Sequence, residues 1–186
     1  MLDYPRTKNG KVLRKQLVKQ LHEQYHSIET GTKVVEYKAR RSMLFVPSYN
    51  KHNVEKAKTV LADAVIFDLE AILQEQRECG RNTIREVYKE DGSKFGESER
   101  VLRINNLGSE DLKKDLALAK EIELDALLFS KIQSKEDVLE AVKLIEEVNP
   151  NLSLMIMIET PLSVLNIHEI CAASSKVEVV VVGSNK

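Results

Sequence analysis

Ala64-Val-Ile-Phe-Asp-Leu-Glu70 opens with four consecutive apolar residues and closes on two acids separated by a leucine. A near-continuous apolar run, unlike an alternating one, marks a strand covered on both faces, as in the centre of a parallel sheet. Five further runs of this kind flank it: Met43–Pro47 before, then Arg100–Asn105, Ala126–Lys131, Leu152–Glu159 and Val177–Gly183. Between them, apolar residues at helical spacing predict helices over Asn53–Leu61, Gln74–Tyr88, Asp111–Ile122, Lys135–Val148 and Pro161–Ala173. Ser134 with Asp137, and Thr160 before Pro161, supply N-cap signals for the last two. Strands alternating with helices predict an α/β fold, either a (β/α) barrel or a doubly wound open sheet; the pattern alone does not choose.

Polar residues close five of the strands: Asp68 and Glu70, Arg103 and Asn105, Lys131, Glu159, and the Gly183-Ser-Asn185 stretch. The C-terminal edge of a parallel sheet is where α/β proteins build their sites. One acid there is unremarkable and pairs with a neighbour about as often as it does chemistry. Polar residues at five ends, with complementary charges at four of them, are a stronger signal. A purely structural reading remains beside it: Arg103 as a buried ion-pair partner of Asp68, and Glu159 as a cap on the next helix.

In order along the chain, Arg41-Ser-Met-Leu-Phe-Val-Pro47, Ala64–Glu70, Arg103-Ile-Asn105, Lys131 with Ser134-Lys-Glu-Asp137, and Ile158-Glu-Thr160 followed by Val164-Leu-Asn166 resemble the strand-end motifs of the citrate lyase beta-subunit family of HpcH/HpaI aldolases. The resemblance implies a TIM-barrel-like fold with about six of its eight βα units. It implies a Mg²⁺-dependent carbon–carbon lyase of retro-aldol or Claisen type, acting on citryl-, malyl- or citramalyl-CoA-like thioesters. In that chemistry Glu159 is the metal ligand and Arg103 grips the carboxylate or enolate. Asp68 and Glu70 orient Arg103 or bound water, and Lys131 completes the charge network. A hard cation and a guanidinium both suit an oxygen that gains negative charge as the bond breaks. Implied partners are a small molecule carried on CoA or an acyl carrier, and a second copy or completing chain; the alternative reading is a non-catalytic relic or subunit whose open barrel is completed by another chain or by dimerisation.

The sequence departs from this pattern in several places. Glu70 runs directly into Ala71, without the family's last Asp; Ser48 and Ser163 stand at glycine positions, and Ser130 at a proline. Glycine-to-serine changes predict a blocked close approach or a strained backbone. Lys186 stands where the family carries a second acidic metal ligand, so an impaired metal site is expected, with repulsion on the order of 1 to several kcal/mol between an ammonium and a divalent ion a few ångströms away. A typical barrel needs about 250 residues, so 186 read as a partial one with unpaired first and sixth strand edges. His168 reads as a packing or surface histidine.

Net charge is -1, but Met1–Arg41 holds ten basic and four acidic residues, leaving 18 and 25 for the remainder. Two segments are therefore expected, a basic extension over 1–41 and a partial barrel over 42–186. Within the extension Pro5-Arg-Thr-Lys-Asn-Gly-Lys-Val-Leu-Arg14 resembles the C-terminal end of acyl-CoA synthetases, with Lys11 in the place of their lysine. An acidic body argues against nucleic acid as partner. No apolar run approaches membrane-span length and no signal-peptide pattern opens the chain, so a cytoplasmic location is expected. Cys79 and Cys171 lack metal or disulfide spacing and are expected to be buried or half-buried.

Overall fold

A computed structural model describes residues 38–91 and 95–183. Contacts divide the chain into Met1–Ala39 and Arg40–Lys186, and the account below concerns the second unit. The expectations for Lys11, Asn185 and Lys186 fall outside the described residues.

Six strands form one parallel sheet in the order β1 (Met43–Pro47), β2 (Ala64–Asp68), β3 (Glu99–Ile104), β4 (Ala126–Phe129), β5 (Ser153–Ile158) and β6 (Val177–Val182). The helices between them are α1 (Lys51–Ala57), α2 (Arg77–Asp91, after a 3₁₀ turn at Gln74–Gln76), α3 (Leu112–Glu121), α4 (Lys135–Val148), α5 (Pro161–Leu165) and α6 (Ile167–Ala172). A doubly wound sheet reverses its strand order at a switch point, whereas an unbroken order is that of a curling barrel wall. The sheet is thus a half-barrel, and the open-sheet alternative falls away.

Period-2 alternation sorts each strand's residues onto two faces. Val65, Phe67, Leu102, Leu127, Leu154 and Ile156 pack outward with helix residues such as Ile84, Leu118, Val138 and Ile145. Ala64, Ile66, Val101, Ala126, Leu128, Met155 and Met157 form a separate cluster on the concave face. Following the same alternation toward the C-terminal edge brings Asp68, Arg103, Ser130 and Glu159 to that face. At the N-terminal edge Arg40 pairs with Glu99 and reaches Glu178 on β6 at 2.6 Å. Glu178 sits at a register shift between β5 and β6.

The outer strands differ from the expectation of burial on both faces. β1 and β6 each pair on one side only among the described residues, and Leu44, Phe45 and Val182 are exposed. The helix expected over Pro161–Ala173 is broken at Asn166, whose side-chain amide donates to the carbonyl of Gln133 at 2.9 Å. Both cysteines are exposed, correcting the expectation of burial. On α2 it is Gly80 that faces the core, where a Cβ would lie 3.1 to 3.3 Å from Leu69, Ile72 and Ser48. Cys79, about 100° round the helix, therefore points away. Cys171 is likewise one position past the buried Ile170.

The serine substitutions do not strain the backbone. Among the described residues the non-glycine with positive φ is Lys131 (φ 55°), not Ser48 or Ser163. Ser163 completes a capping box with Thr160, its backbone N–H donating to Thr160 Oγ1 at 3.1 Å. Ser134 and Asp137 form the expected capping box of α4. His168 is exposed, as a surface histidine would be.

Candidate functional site

The β2–β3 register places Asp68 directly beside Arg103. The guanidinium is buried and held from three directions: Nε donates to Ser130 Oγ at 2.9 Å, Nη1 to Asp68 Oδ2 at 3.2 Å, and Nη2 lies 2.7 Å from Glu70 Oε2. Its charged centre also sits 5.8 Å from the Phe45 ring centroid, within cation–π range. Glu159 Oε2 is 4.0 Å from Nη2. A guanidinium carries five N–H donors in a rigid plane, so these contacts orient it without exhausting its capacity.

The acids are placed by backbone. Asp68 Oδ1 accepts from the N–H groups of Glu70 and Ala71 at 2.9 and 3.0 Å, a local turn that swings Glu70 back toward Arg103. Glu159 does not cap the following helix, a task Thr160 performs. Its Oε1 accepts from the backbone N–H of Lys131 at 3.0 Å. Lys131 Nζ reaches Glu70 Oε1 at 3.0 Å, so one residue touches two acids from opposite ends. The backbone at Lys131 is left-handed, with φ 55°. All five residues singled out from sequence, Asp68, Glu70, Arg103, Lys131 and Glu159, meet in one cluster.

Ser130 was legible only as a departure from a family proline, yet its hydroxyl receives Arg103 Nε, a contact proline lacks the side-chain oxygen to make. Phe45 gave no signal beyond its place in an apolar run. By contrast, Arg77 and Arg81 lie on the helical side. Arg77 and Arg81 hold Asp111 at 2.7 and 3.1 Å, and Arg81 also meets Asp115 at 2.7 Å. The Arg77 hydrogen bond, aided by Arg81, holds the Asp111 carboxyl below the usual range, whereas burial pushes Asp115 above it.

For a divalent cation the donor set is partial. Among the described residues no three acid, imidazole or thiol side chains converge as a metal-holding group. Glu159, its side chain buried, faces Gly183, where a Cβ would stand 3.7 Å from its Cβ and 3.9 Å from Oε2. Backbone therefore passes close to this carboxylate without a side chain crowding it. Mg²⁺ commonly takes one or two protein carboxylates and completes its shell with water and substrate, so a single carboxylate such as Glu159 lies within its habit.

The profile of the HpcH/HpaI aldolase/citrate lyase family matches residues 41–186. The chain belongs to this family. A (3S)-malyl-CoA thioesterase of Cereibacter sphaeroides is 33% identical over 146 residues, covering 78% of this chain and 49% of that protein. A citrate lyase beta subunit from M. tuberculosis, solved with oxaloacetate and magnesium, superposes with a TM-score of 0.60 at 25% identity, covering 80% of this chain and 59% of that one. The CitE protein of Mycobacterium tuberculosis in complex with magnesium, acetoacetate and coenzyme A gives a TM-score of 0.59 at 25% identity, over 78% of this chain and 49% of that chain. The chain spans about half the length of the curated relatives it matches. No helix among the described residues is long and apolar enough to cross a membrane.

Proposed function

We propose that the strand-end cluster is the site of a Mg²⁺-assisted carbon–carbon cleavage in a hydroxyacyl-CoA thioester of the malyl, citramalyl or citryl type. The observation that carries the reading is the buried Arg103, oriented by Asp68, Glu70 and Ser130 and 4.0 Å from Glu159. Relatives solved with magnesium, small oxoacids and coenzyme A support the substrate class.

In such a reaction the substrate hydroxyl loses its proton, the Cα–Cβ bond breaks, and the pair of electrons passes to the thioester as an enolate, which is then protonated. The oxoacid leaves as the other product. Arg103 binds the carboxylate or the developing oxyanion through its planar fork, and Asp68 and Glu70 keep that fork in place. Glu159 would hold the metal, which when bound supplies Lewis-acid stabilisation of the substrate oxygens. Lys131 tethers Glu70 and Glu159 to each other and keeps both near Arg103. Lys186 in the place of an acid predicts weak metal binding and slow turnover in this chain.

The edges of β1 and β6 that are unpaired among the described residues are read as contact edges for a second copy or a completing chain, because unpaired strand edges seek partners.

Product analysis tests the reaction. With malyl-CoA and Mg²⁺, carbon–carbon cleavage releases glyoxylate and leaves the CoA acylated, whereas thioester hydrolysis releases free thiol and no oxoacid. Glyoxylate appearing before thiol supports the proposal; thiol alone replaces it with a thioesterase reading.

A further inference from the structure

β3 ends in a detail that the site does not use directly. In a parallel ladder the rung after Leu69 N–H to Arg103 O, which is present at 3.0 Å, would run from the Asn105 backbone N–H to the Leu69 carbonyl. That N–H is diverted instead to Asp115 Oδ2 on α3, at 2.9 Å. The Asn105 side-chain amide takes over the missing rung, donating to the Leu69 carbonyl at 3.3 Å and to Asp115 Oδ2 at 2.7 Å. Asn105 and Asp115 are both fully buried, and Arg81 fixes the other oxygen of Asp115 at 2.7 Å.

Leu69 lies between the two acids that hold Arg103. An anchor on its carbonyl therefore sets where the chain leaves the sheet and how Glu70 turns inward. We propose that Asn105, locked by Asp115 and Arg81, is a positioning residue that fixes the Asp68–Ala71 turn and through it the Glu70–Arg103 pair. The catalytic consequence rests on the lyase reading; the positioning itself does not.

The test uses the full chain with Asn105→Ala, and Asn105→Ser as a variant leaving a smaller void. Val138→Ala, a core truncation on α4, serves as the control for general destabilisation. Amide hydrogen exchange is read at Leu69, Glu70 and Ala71 and compared with Ile156 in β5. Either Asn105 variant is expected to speed exchange at the turn at least tenfold more than at Ile156, while Val138→Ala shifts both alike. Equal shifts at the turn and at Ile156 in the Asn105 variants overturn the proposal. If the wild-type chain turns over malyl-CoA, kcat should fall about tenfold in Asn105→Ala with KM within twofold, and the fall should vanish in a Glu70→Gln background. A wild type without turnover defeats the lyase reading alone, because the exchange comparison still decides the positioning.

Discussion

Replacing Arg103 by methionine keeps most of the side-chain volume and removes the charge. Arg103 is buried against the side chains of Asp68, Glu70 and Glu159, which are 8, 12 and 5% exposed. Taking away the guanidinium leaves Asp68 and Glu70 poorly solvated and without the cation they share. Lys131, whose side chain is 45% exposed, still meets Glu70 and donates its backbone N–H to Glu159. Breaking a buried ion pair by removing one partner costs about 3 to 5 kcal/mol, a large fraction of the roughly 5 to 15 kcal/mol that holds an ordinary domain folded. The cost should arise from the stranded acids and not from lost packing. Glu70→Gln, which retains an acceptor oxygen, should cost only about 1 to 2 kcal/mol. The double variant should be less destabilised than the two single losses together, by about 1 to 3 kcal/mol. Urea unfolding followed by circular dichroism measures all three, an appropriate probe for a chain without tryptophan. Losses that add within about 0.5 kcal/mol, or an Arg103→Met loss below about 1 kcal/mol, would refute the reasoning.

Lys131→Gly should be more stable than Lys131→Ala by about 1 kcal/mol in the same urea assay, because both lose the ammonium but only glycine accepts φ 55° without strain. Asp63 is held well below the usual carboxylate range, first by the Arg41 side chain and then by the backbone N–H groups of Arg41 and Ser42. A depressed folded-state pKa stabilises above the unfolded value of about 3.9 and is lost as pH falls toward the folded one, so Asp63→Asn should flatten the decline of the urea midpoint below about pH 4. Phe67 meets Tyr88 and Phe95 edge-on at centroid distances of 6.1 and 5.0 Å, and Phe67→Ala should cost about 3 to 5 kcal/mol by thermal or urea unfolding. Lys186→Asp should raise the Mg²⁺-dependent cleavage rate at least tenfold; no increase would remove Lys186 as the cause of slow turnover.

The strands were legible because buried parallel strands leave near-continuous apolar runs, and all six begin and end within two residues of those runs. Barrel and open sheet were not separable that way, since both produce alternating strands and helices; strand order decides, and order is a long-range property. The five charged site residues were legible from their place at strand ends. Ser130 was not, because a lone serine carries no local signal of the arginine 27 residues before it that needs an acceptor. The Asn105–Asp115 lock was hidden for a related reason, namely that a side chain imitating a backbone rung leaves no mark on periodicity. The exposed cysteines show the limit of composition: which side of a helix a small residue takes is settled by its neighbour, here Gly80 in one case and Ile170 in the other.

The most direct measurement of the central claim is oxoacid release from malyl-CoA by the full chain, with Mg²⁺ and with chelator, in the wild type, Arg103→Lys and Glu159→Gln. The account predicts slow release that requires Mg²⁺ and falls about 100-fold or more in either variant, as expected when a group stabilising the transition-state charge is lost. Release that continues undiminished in chelator, or in both variants, would contradict it.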